Sequence, residues 1–312
     1  MRTFKNCAFR GIAAVALLAI AVSGETVVGQ GATDTVRPDV LAANDPWPEF
    51  NLNVVVLDKQ GAPQAVDVSG FQLFEDGAER PLHFRGSLDS PVSVVFVIDS
   101  SGSMYGREPA VVSAVASIAK SLPAGSEVAG ITFADLAFLD LPFTPASSAD
   151  FSYLNRVGDR GGTALYDAVI PAEDYVITHA KYPRRSLVIV SDGVDNASHV
   201  SRGVVFRKMK QPGAPLVYAC LPSKARILQS ELMAGHINMD FLAKEGSGTV
   251  SNLDPDPASA AAQIVAAVRS QYVLEFTAAD TARDGKAHKL EVRLPIKDVK
   301  VHALPVYYAP AK

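Results

Sequence analysis

Continuous apolar runs recur along the middle of the chain, and none of them alternates between polar and apolar positions. A run such as VSVVFVID, at 92–99, has a polar residue only near its ends. This pattern is typical of strands that are buried on both faces of a parallel sheet. The strands predicted in this way cover residues 92–99, 128–133, 187–190 and 216–221.

The segments between these runs have the period of amphipathic helices, with apolar residues three and four positions apart. The predicted buried stripes are Val111, Val115, Ile118 and Leu122; Leu165, Ala168, Val169, Ala172 and Val176; and Ile264, Val265 and Val268. Pro171 interrupts the second stripe, so we expect that helix to be kinked or shortened. Strands that alternate with helices predict an α/β fold with a doubly wound, mostly parallel sheet over residues 91–270.

The two flanks of this region have β character instead. Residues 71–84 predict a hairpin with its turn at Asp76–Gly77, and 271–278 and 288–295 predict strands, followed by one closing strand at 301–310. Small isolated β units are only marginally stable in water. We therefore expect 47–90 and 271–312 to form one discontinuous β domain, into which the α/β domain at 91–270 is inserted.

The first 24 residues predict an export signal, with a basic start, an apolar run at 12–22 and small residues at the cleavage zone. An uncleaved membrane anchor is the alternative, although the run is shorter than the roughly 20 residues that span a bilayer. Residues 25–46 have no hydrophobic period and are interpreted as a flexible leader. Cleavage would remove Arg2, Lys5 and Arg10 and change the formal charge from −4 to −7. We expect a secreted or periplasmic (cell-envelope) protein without a stable membrane span after cleavage.

Composition narrows the class of protein further. With 48% hydrophobic and 20% charged residues, the chain is suited to a packed globular fold. Its acidic charge argues against a nucleic-acid partner, and the basic stretches at 181–185 and 207–210 are interpreted as solvated helix ends. Cys220 is the one cysteine expected after cleavage, so it is expected to be a core residue and not part of a disulfide.

The first residues that could bind a ligand lie where the first predicted α/β strand ends. The run VIDSSGSM places Asp99, Ser101 and Ser103 at alternate positions. One carboxylate and two hydroxyls form an oxygen-only donor set, which suits Mg²⁺, Ca²⁺ or Mn²⁺. Taken alone the pattern is weak, because Ser and Asp are also common in turns and helix caps.

Two further oxygen donors occupy equivalent places. Thr163 follows a glycine pair just before a predicted helix, and Asp192 follows a buried strand. The carboxyl ends of parallel strands meet at one sheet edge, so the three loops can converge on one cation. Taken alone, Thr163 would be interpreted as a helix cap and Asp192–Gly193 as a turn. Asp195, three residues past Asp192, could reach the rim of the site, but it is interpreted as a solvated loop carboxylate. The ordered set of three motifs favours a metal site.

At these motifs, residues 91–270 resemble the von Willebrand factor type A (VWFA) domain family and its metal-ion-dependent adhesion site (MIDAS). The resemblance implies that Ser101 and Ser103 ligate the cation directly, and that Asp99, Thr163 and Asp192 bind it directly or through water. The flanks FQLFEDGAERPLHF and PVYYAP resemble the bracketing segments of an exported, acidobacterial-type subgroup of VWFA-related bacterial proteins.

These observations predict a non-enzymatic module that binds a partner protein through a divalent cation, with Mg²⁺ the best candidate. The resemblance implies that an acidic side chain of the partner completes the coordination shell, as in adhesion. One alternative is an envelope assembly component whose metal is purely structural. Another is a metal-assisted hydrolase, for which the motifs offer no evident general base.

Overall fold

The computed structural model describes residues 34–35, 47–85, 88–158, 161–222, 229–279 and 283–311, which all belong to one compact unit. The predicted signal segment at 1–24 lies outside the described residues, as does the leader at 25–46 except for residues 34–35. No helix in the described ranges is long and apolar enough to span a membrane.

Fifteen strands and five α-helices make up the described chain. The strands are β1 Asp34–Thr35, β2 Glu49–Asp58, β3 Gln72–Glu75, β4 Ala78–Arg80, β5 His83–Phe84, β6 Ser93–Asp99, β7 Glu127–Phe133, β8 Ala137–Pro145, β9 Arg185–Val190, β10 Leu216–Leu221, β11 Val250–Asn252, β12 Gln271–Thr277, β13 Ala287–Arg293, β14 Val299–Ala303 and β15 Val306–Tyr308. The helices are α1 Glu108–Ser121, α2 Leu165–His179, α3 Arg202–Lys208, α4 Gln229–Glu245 and α5 Pro257–Arg269.

A seven-stranded sheet forms the α/β part, in the order β1-β8-β7-β6-β9-β10-β11. Strands β7, β6, β9, β10 and β11 are parallel, whereas β8 and β1 are antiparallel at one edge. Every residue of β6 is buried, as expected for a strand covered on both faces. The predicted doubly wound, mostly parallel sheet is confirmed.

Helices cover both faces of this sheet. Along β6, Val94, Phe96 and Ile98 pack in the core that contains α1 and α5. Val95 and Val97 point the other way, into the core that contains α2 and parts of α3 and α4. This alternation is the period-2 geometry of a strand, here apolar on both sides.

Two four-stranded antiparallel sheets bring the flanks of the chain together, in the orders β14-β2-β12-β5 and β15-β13-β3-β4. Strand β12 pairs along its whole length with β2, and β13 pairs with β3. Apolar side chains of both sheets, including Phe50, Leu73 and Phe276, form a third core. The additional antiparallel sheets are therefore present, while the domain bounds 47–90, 271–312 and 91–270 stay a prediction.

Several local expectations need correction. Helix α2 continues through Pro171 and is not shortened there. The single closing strand expected at 301–310 is two strands in different sheets, because Pro305 between them cannot donate a ladder hydrogen bond. Within the leader, Asp34 and Thr35 form a short strand paired with β8, which an entirely irregular leader would not contain.

The interpretation of both basic stretches as solvated helix ends is wrong for two residues. Arg184 is 1% exposed, and its guanidinium donates to the carbonyl oxygens of Leu88, Val268 and others. Lys210 is fully buried, and its Nζ donates to the Glu245 carbonyl at 2.6 Å. Backbone carbonyls from distant segments satisfy these cations.

Cys220 is buried in β10 and is a free thiol. Burial raises the pKa of this thiol to about 12. The side chain is therefore an inert core residue, as expected.

Candidate metal centre

The first predicted ligand lies at a switch point of the large sheet. From β6 the chain proceeds to β7 on one side, whereas β9 pairs with β6 on the other side. Open α/β sheets bind ligands in the crevice at such a point, outside the carboxyl ends of the strands. Asp99 is the last residue of β6, and Ser191 and Asp192 follow the end of β9.

Asp99 is fully buried and has a hydrogen bond on each carboxylate oxygen. The Ser101 N–H donates to Oδ1 at 2.8 Å, and the Ser191 hydroxyl donates to Oδ2 at 2.6 Å. Ser191 also accepts from the Gly193 N–H at 2.9 Å, so it fixes the loop after β9 against the end of β6. Ser191 was not among the predicted site residues, although its position directly before Asp192 at the end of a buried strand was a usable signal.

The two serine hydroxyls of the first loop converge. Ser101 Oγ lies 3.1 Å from Ser103 Oγ. A short 3-10 helix at Gly102–Met104 begins directly after Ser101 and turns the chain back on itself. Ser101 is buried whereas Ser103 is partly exposed, so this pair extends from the buried carboxylate toward the surface.

Asp192 supplies the most telling feature of the site. Its side chain is fully buried, and its Oδ1 accepts from the Val194 N–H at 3.0 Å. Its Oδ2 is buried with no hydrogen-bond partner. A buried carboxylate oxygen without a partner is costly, and a cation at this position would offset that cost.

The charges of the two buried carboxylates also favour a cation at this site. Burial, followed by the nearby Asp192 carboxylate, raises the pKa of Asp99 to about 7. Two buried carboxylates that repel each other form a local excess of negative charge. The five donors, two carboxylates and three hydroxyls, therefore suit a hard divalent cation both in charge and in chemistry.

The loop that carries Thr163 contacts the loop of Ser101 and Ser103 through its backbone. The Gly102 N–H donates to the Gly161 carbonyl at 3.4 Å, which ties this loop to the serine loop. The glycine pair allows a close approach, because a Cβ on Gly162 would lie 2.7 Å from Asp135 Oδ1. Thr163 itself is 2% exposed. In the part of the chain that the structure describes, no hydrogen bond joins its side chain to the other four candidates.

Thr163 is not the cap of helix α2, which was the alternative for this residue. Asp195 Oδ1 accepts from the Leu165 N–H at 3.1 Å, and Ser198 Oγ accepts from the Tyr166 N–H at 3.0 Å. The loop after β9 therefore satisfies the start of α2. Asp195, which was expected to be solvated, is a partly buried capping residue. Asn196 supports the same loop, since its Oδ1 accepts from the Thr163 N–H at 2.8 Å.

A cluster made only of His, Cys, Asp or Glu is a different kind of metal site. Among the described residues, no three such side chains come together in a way that could hold a metal. The candidate set has two carboxylates, and hydroxyl groups are its other donors. Its assignment as a metal site stays a prediction.

A family model matches the part of the chain that contains the candidate site. Residues 94–194 match the family model described as von Willebrand factor type A domain. This match contains Asp99, Ser101, Ser103, Thr163 and Asp192. The search of curated proteins found no match.

Solved structures that match this chain include an aerotolerance-related membrane protein from Bacteroides fragilis, at 19% identity and a TM-score of 0.46 over 57% of this chain and 98% of that one. A von Willebrand factor type A protein from Catenulispora acidiphila has 14% identity and a TM-score of 0.45 over 90% of this chain and 72% of that one. Proximal thread matrix protein 1 of the mussel byssus, solved with a zinc-occupied MIDAS motif, has 16% identity and a TM-score of 0.44 over 62% of this chain and 49% of that one.

Proposed function

We propose that this chain, whose residues 94–194 match the family model described as von Willebrand factor type A domain, is an exported, non-enzymatic protein that binds a partner protein through a divalent cation. The cation is held by oxygen donors of the three loops at the carboxyl edge of the sheet. These donors are Asp99, Ser101, Ser103, Thr163 and Asp192. The observation that carries the proposal is that Asp192 Oδ2 is buried and has no hydrogen-bond partner. A second buried carboxylate, that of Asp99, belongs to the same site.

The donor set favours Mg²⁺, with Ca²⁺ and Mn²⁺ as alternatives. Oxygen-only sites select hard cations, and Mg²⁺ is commonly held by one or two carboxylates with other oxygens completing the shell. Three of the five donors are neutral hydroxyls. A bound cation therefore keeps an affinity for one more carboxylate, and an acidic side chain of a partner is suited to supply it.

The position of the antiparallel sheets supports a binding role for the carboxyl edge of the large sheet, where the candidate ligands lie. Gln271, the first residue of β12, donates through Nε2 to Asn53 Oδ1 at 2.6 Å and to the Arg185 carbonyl at 3.0 Å. Arg185 begins β9, whereas Asp192 follows its end. The flanking sheets thus contact the amino end of the strand and leave the site edge to a partner.

Export is proposed on the predicted signal at 1–24, which places the protein in the cell envelope or the medium. The whole proposal can be tested by a pull-down in which the full mature chain is the bait. The bait is exposed to proteins from the envelope and medium of the producing cell, once with Mg²⁺ and once with EDTA. We expect a protein that is retained with Mg²⁺ and released by EDTA. Retention that is equal under both conditions would indicate that any bound metal is purely structural.

The matched control is the variant Asp298→Asn. Asp298 is exposed, has a positive φ of 66° and lies in the antiparallel part of the chain. Asparagine is tolerated at that backbone conformation, so the variant removes one carboxylate without affecting the site. It is expected to retain the partner, whereas Asp192→Asn is expected to lose it.

A further inference from the structure

A series of hydrogen bonds connects the start of helix α2 with the buried carboxylate of Asp99. It begins at the hydroxyl of Tyr166, which donates to Asn238 Oδ1 at 2.8 Å. Asn238 Nδ2 in turn donates to the Gly193 carbonyl at 2.9 Å. The Gly193 N–H donates to the Ser191 hydroxyl, and that hydroxyl donates to Asp99 Oδ2. The series therefore ends on a candidate ligand.

The middle member, Asn238, belongs to helix α4, which contributes no candidate ligand. Gly235, three positions earlier on the same face of α4, contacts the backbone of Asp192. Tyr166 lies in the first turn of α2, directly after the loop of Thr163. The Asn238 side chain thus joins the element that follows one ligand loop to the backbone of another ligand loop.

The orientation of the Asn238 amide follows from the chemistry of its two partners. A backbone carbonyl can only accept, so the amide NH₂ group must face Gly193 and the amide oxygen must face Tyr166. The Tyr166 hydroxyl therefore holds the amide in the orientation in which it donates to Gly193. Tyr166 is buried and Asn238 is half-buried, so water competes less for these bonds than it does at the surface.

We propose that Asn238 is a positioning residue for the metal centre and that Tyr166 fixes its amide in the required orientation. This inference rests on the proposed function, because the loop needs this position only if the site binds a cation. Without the amide, the Gly193 carbonyl loses its donor and the loop that carries Asp192 is less constrained. Asp192 Oδ2 accepts no hydrogen bond of its own, so its position depends on that loop. Groups that orient metal ligands typically contribute a factor of about 10–100 to metal affinity.

The test is a calorimetric Mg²⁺ titration of the full mature chain and of the variants Asn238→Ala, Tyr166→Phe and Asn238→Ala/Tyr166→Phe, each checked for folding by circular dichroism. We expect Asn238→Ala to bind Mg²⁺ about tenfold more weakly and Tyr166→Phe about threefold more weakly. Because Tyr166 acts through Asn238, the double variant is expected to bind as Asn238→Ala does. A residue that only stabilised the fold would lower the unfolding temperature and leave the Mg²⁺ affinity of the folded protein unchanged.

Two control variants remove matching groups from other places. Tyr175→Phe removes another hydroxyl of α2, which accepts from the Phe143 N–H at 3.2 Å. Gln263→Ala removes another helix amide, in α5, which accepts from the Ser251 hydroxyl at 3.3 Å. Both controls are expected to keep the Mg²⁺ affinity of the wild type.

Wild-type affinity in folded Asn238→Ala would overturn the inference and leave the metal site standing, as would equal losses in the two controls. If Asn238→Ala does not fold, Tyr166→Phe decides, since it keeps the ring that packs against Phe241; wild-type affinity in that variant would overturn the inference. A double variant that loses the product of the two single losses would contradict the action of Tyr166 through Asn238. Absence of Mg²⁺ binding in the wild-type chain would instead overturn the proposed function.

Discussion

Gly193 and Gly235 pack backbone against backbone. A Cβ on Gly193 would lie 2.2 Å from the Gly235 carbonyl oxygen, and a Cβ on Gly235 would lie 2.2 Å from the Asp192 carbonyl oxygen. Asn238 reinforces the contact, since its Nδ2 donates to the Gly193 carbonyl at 2.9 Å. Helix α4 is thereby fixed against the loop that carries Asp192.

We expect Gly235→Ala to weaken metal binding, because the added methyl group displaces the backbone of Asp192. Overpacking of this kind typically costs about 1–3 kcal/mol, and the better helix propensity of alanine offsets only up to about 1 kcal/mol of that. Calorimetric Mg²⁺ titration and thermal unfolding measure both effects. The control is Gly203→Ala in α3, where the nearest atom to an added Cβ is Ser201 Oγ at 3.8 Å. Equal metal affinity in both variants would contradict the role given to this contact.

The Thr163 hydroxyl can be tested without disturbing helix α2, because Asp195 and Ser198 satisfy the start of that helix. We expect Thr163→Ala to lower metal affinity less than loss of a carboxylate does, since a hydroxyl contributes no charge. Affinity for the partner is expected to fall further than affinity for the metal. Titrations of both ligands, with helix content followed by circular dichroism, provide the measurement.

Ser198→Ala is the comparison for that experiment. It removes an oxygen that accepts from the Tyr166 N–H and the Asp167 N–H, and it is expected to cost about 1 kcal/mol of stability. Equal losses of metal and partner affinity in Thr163→Ala would indicate a metal that only braces the loops. A loss of neither would remove Thr163 from the site.

Glu173 gives the protein a predictable pH dependence that is separate from the site. Both of its carboxylate oxygens are buried and have no hydrogen-bond partner. Burial raises the pKa of Glu173 to about 8; Lys208 and Lys210 act to lower it, and Asp174 acts to raise it. The unfolded state therefore loses this proton at lower pH than the folded state does.

It follows that the contribution of Glu173 to the free energy of unfolding falls as the pH rises from about 4.5 to about 8, by up to about 1.4 kcal/mol per pH unit. Glu173→Gln keeps the neutral form at all pH values, so we expect it to remove this contribution and to stabilise the protein more at pH 8 than at low pH. Urea unfolding across this range measures the effect. The exposed Glu231 of α4 provides the control variant Glu231→Gln. An identical pH slope in wild type and Glu173→Gln would refute the argument.

Arg184 contacts both of the chain segments that connect the antiparallel sheets with the α/β region. Its Nη1 donates to the carbonyls of Leu88, at 2.9 Å, and Ser90, while its Nη2 donates to the carbonyls of Val268, at 2.8 Å, and Arg269, at 2.7 Å. A lysine ammonium cannot reproduce this planar, forked geometry. We expect Arg184→Lys to cost about 3 kcal/mol or more, because buried carbonyls lose their donors.

Metal affinity should be unchanged in Arg184→Lys, since Arg184 precedes β9 and Asp192 follows it. Denaturant unfolding and Mg²⁺ titration of the same sample separate the two effects. The exposed Arg293 of β13 provides the control variant Arg293→Lys. Similar stability losses in the two variants would show that the carbonyl contacts of Arg184 contribute little.

Local sequence patterns were sufficient for the central part of the fold. The apolar runs of β6, β7, β9 and β10 mark strands buried on both faces, and their shared edge is where the candidate ligands lie. Helix α4 was missed because its pattern is irregular: Met233 and Ile237 are exposed, whereas Gly235 is buried. Strand β8, which is next to the two-residue edge strand β1 and has few buried residues, lacks the continuous apolar run that identified the others.

Long-range contacts account for the remaining differences between the predicted and the observed positions of single residues. Arg184 and Lys210 are charged residues whose burial depends on carbonyls that are distant in sequence. The capping role of Asp195 depends on the loop after β9 reaching the start of α2. No periodicity or composition signal encodes such pairings, so the residue type alone favoured a solvated position for each of them.

The most direct test of the account is a calorimetric Mg²⁺ titration of the EDTA-treated wild-type chain and of Asp192→Asn. Asparagine keeps the size of the side chain and the oxygen that accepts from the Val194 N–H, but it removes the charge. Because loss of one of two buried, mutually repelling carboxylates relieves strain in the metal-free state, the variant is expected to fold normally. We predict one site in the wild type and at least about tenfold weaker binding in the variant, a change of about 1.4 kcal/mol. Equal Mg²⁺ affinity in the two proteins would contradict the metal site on which the proposed function depends.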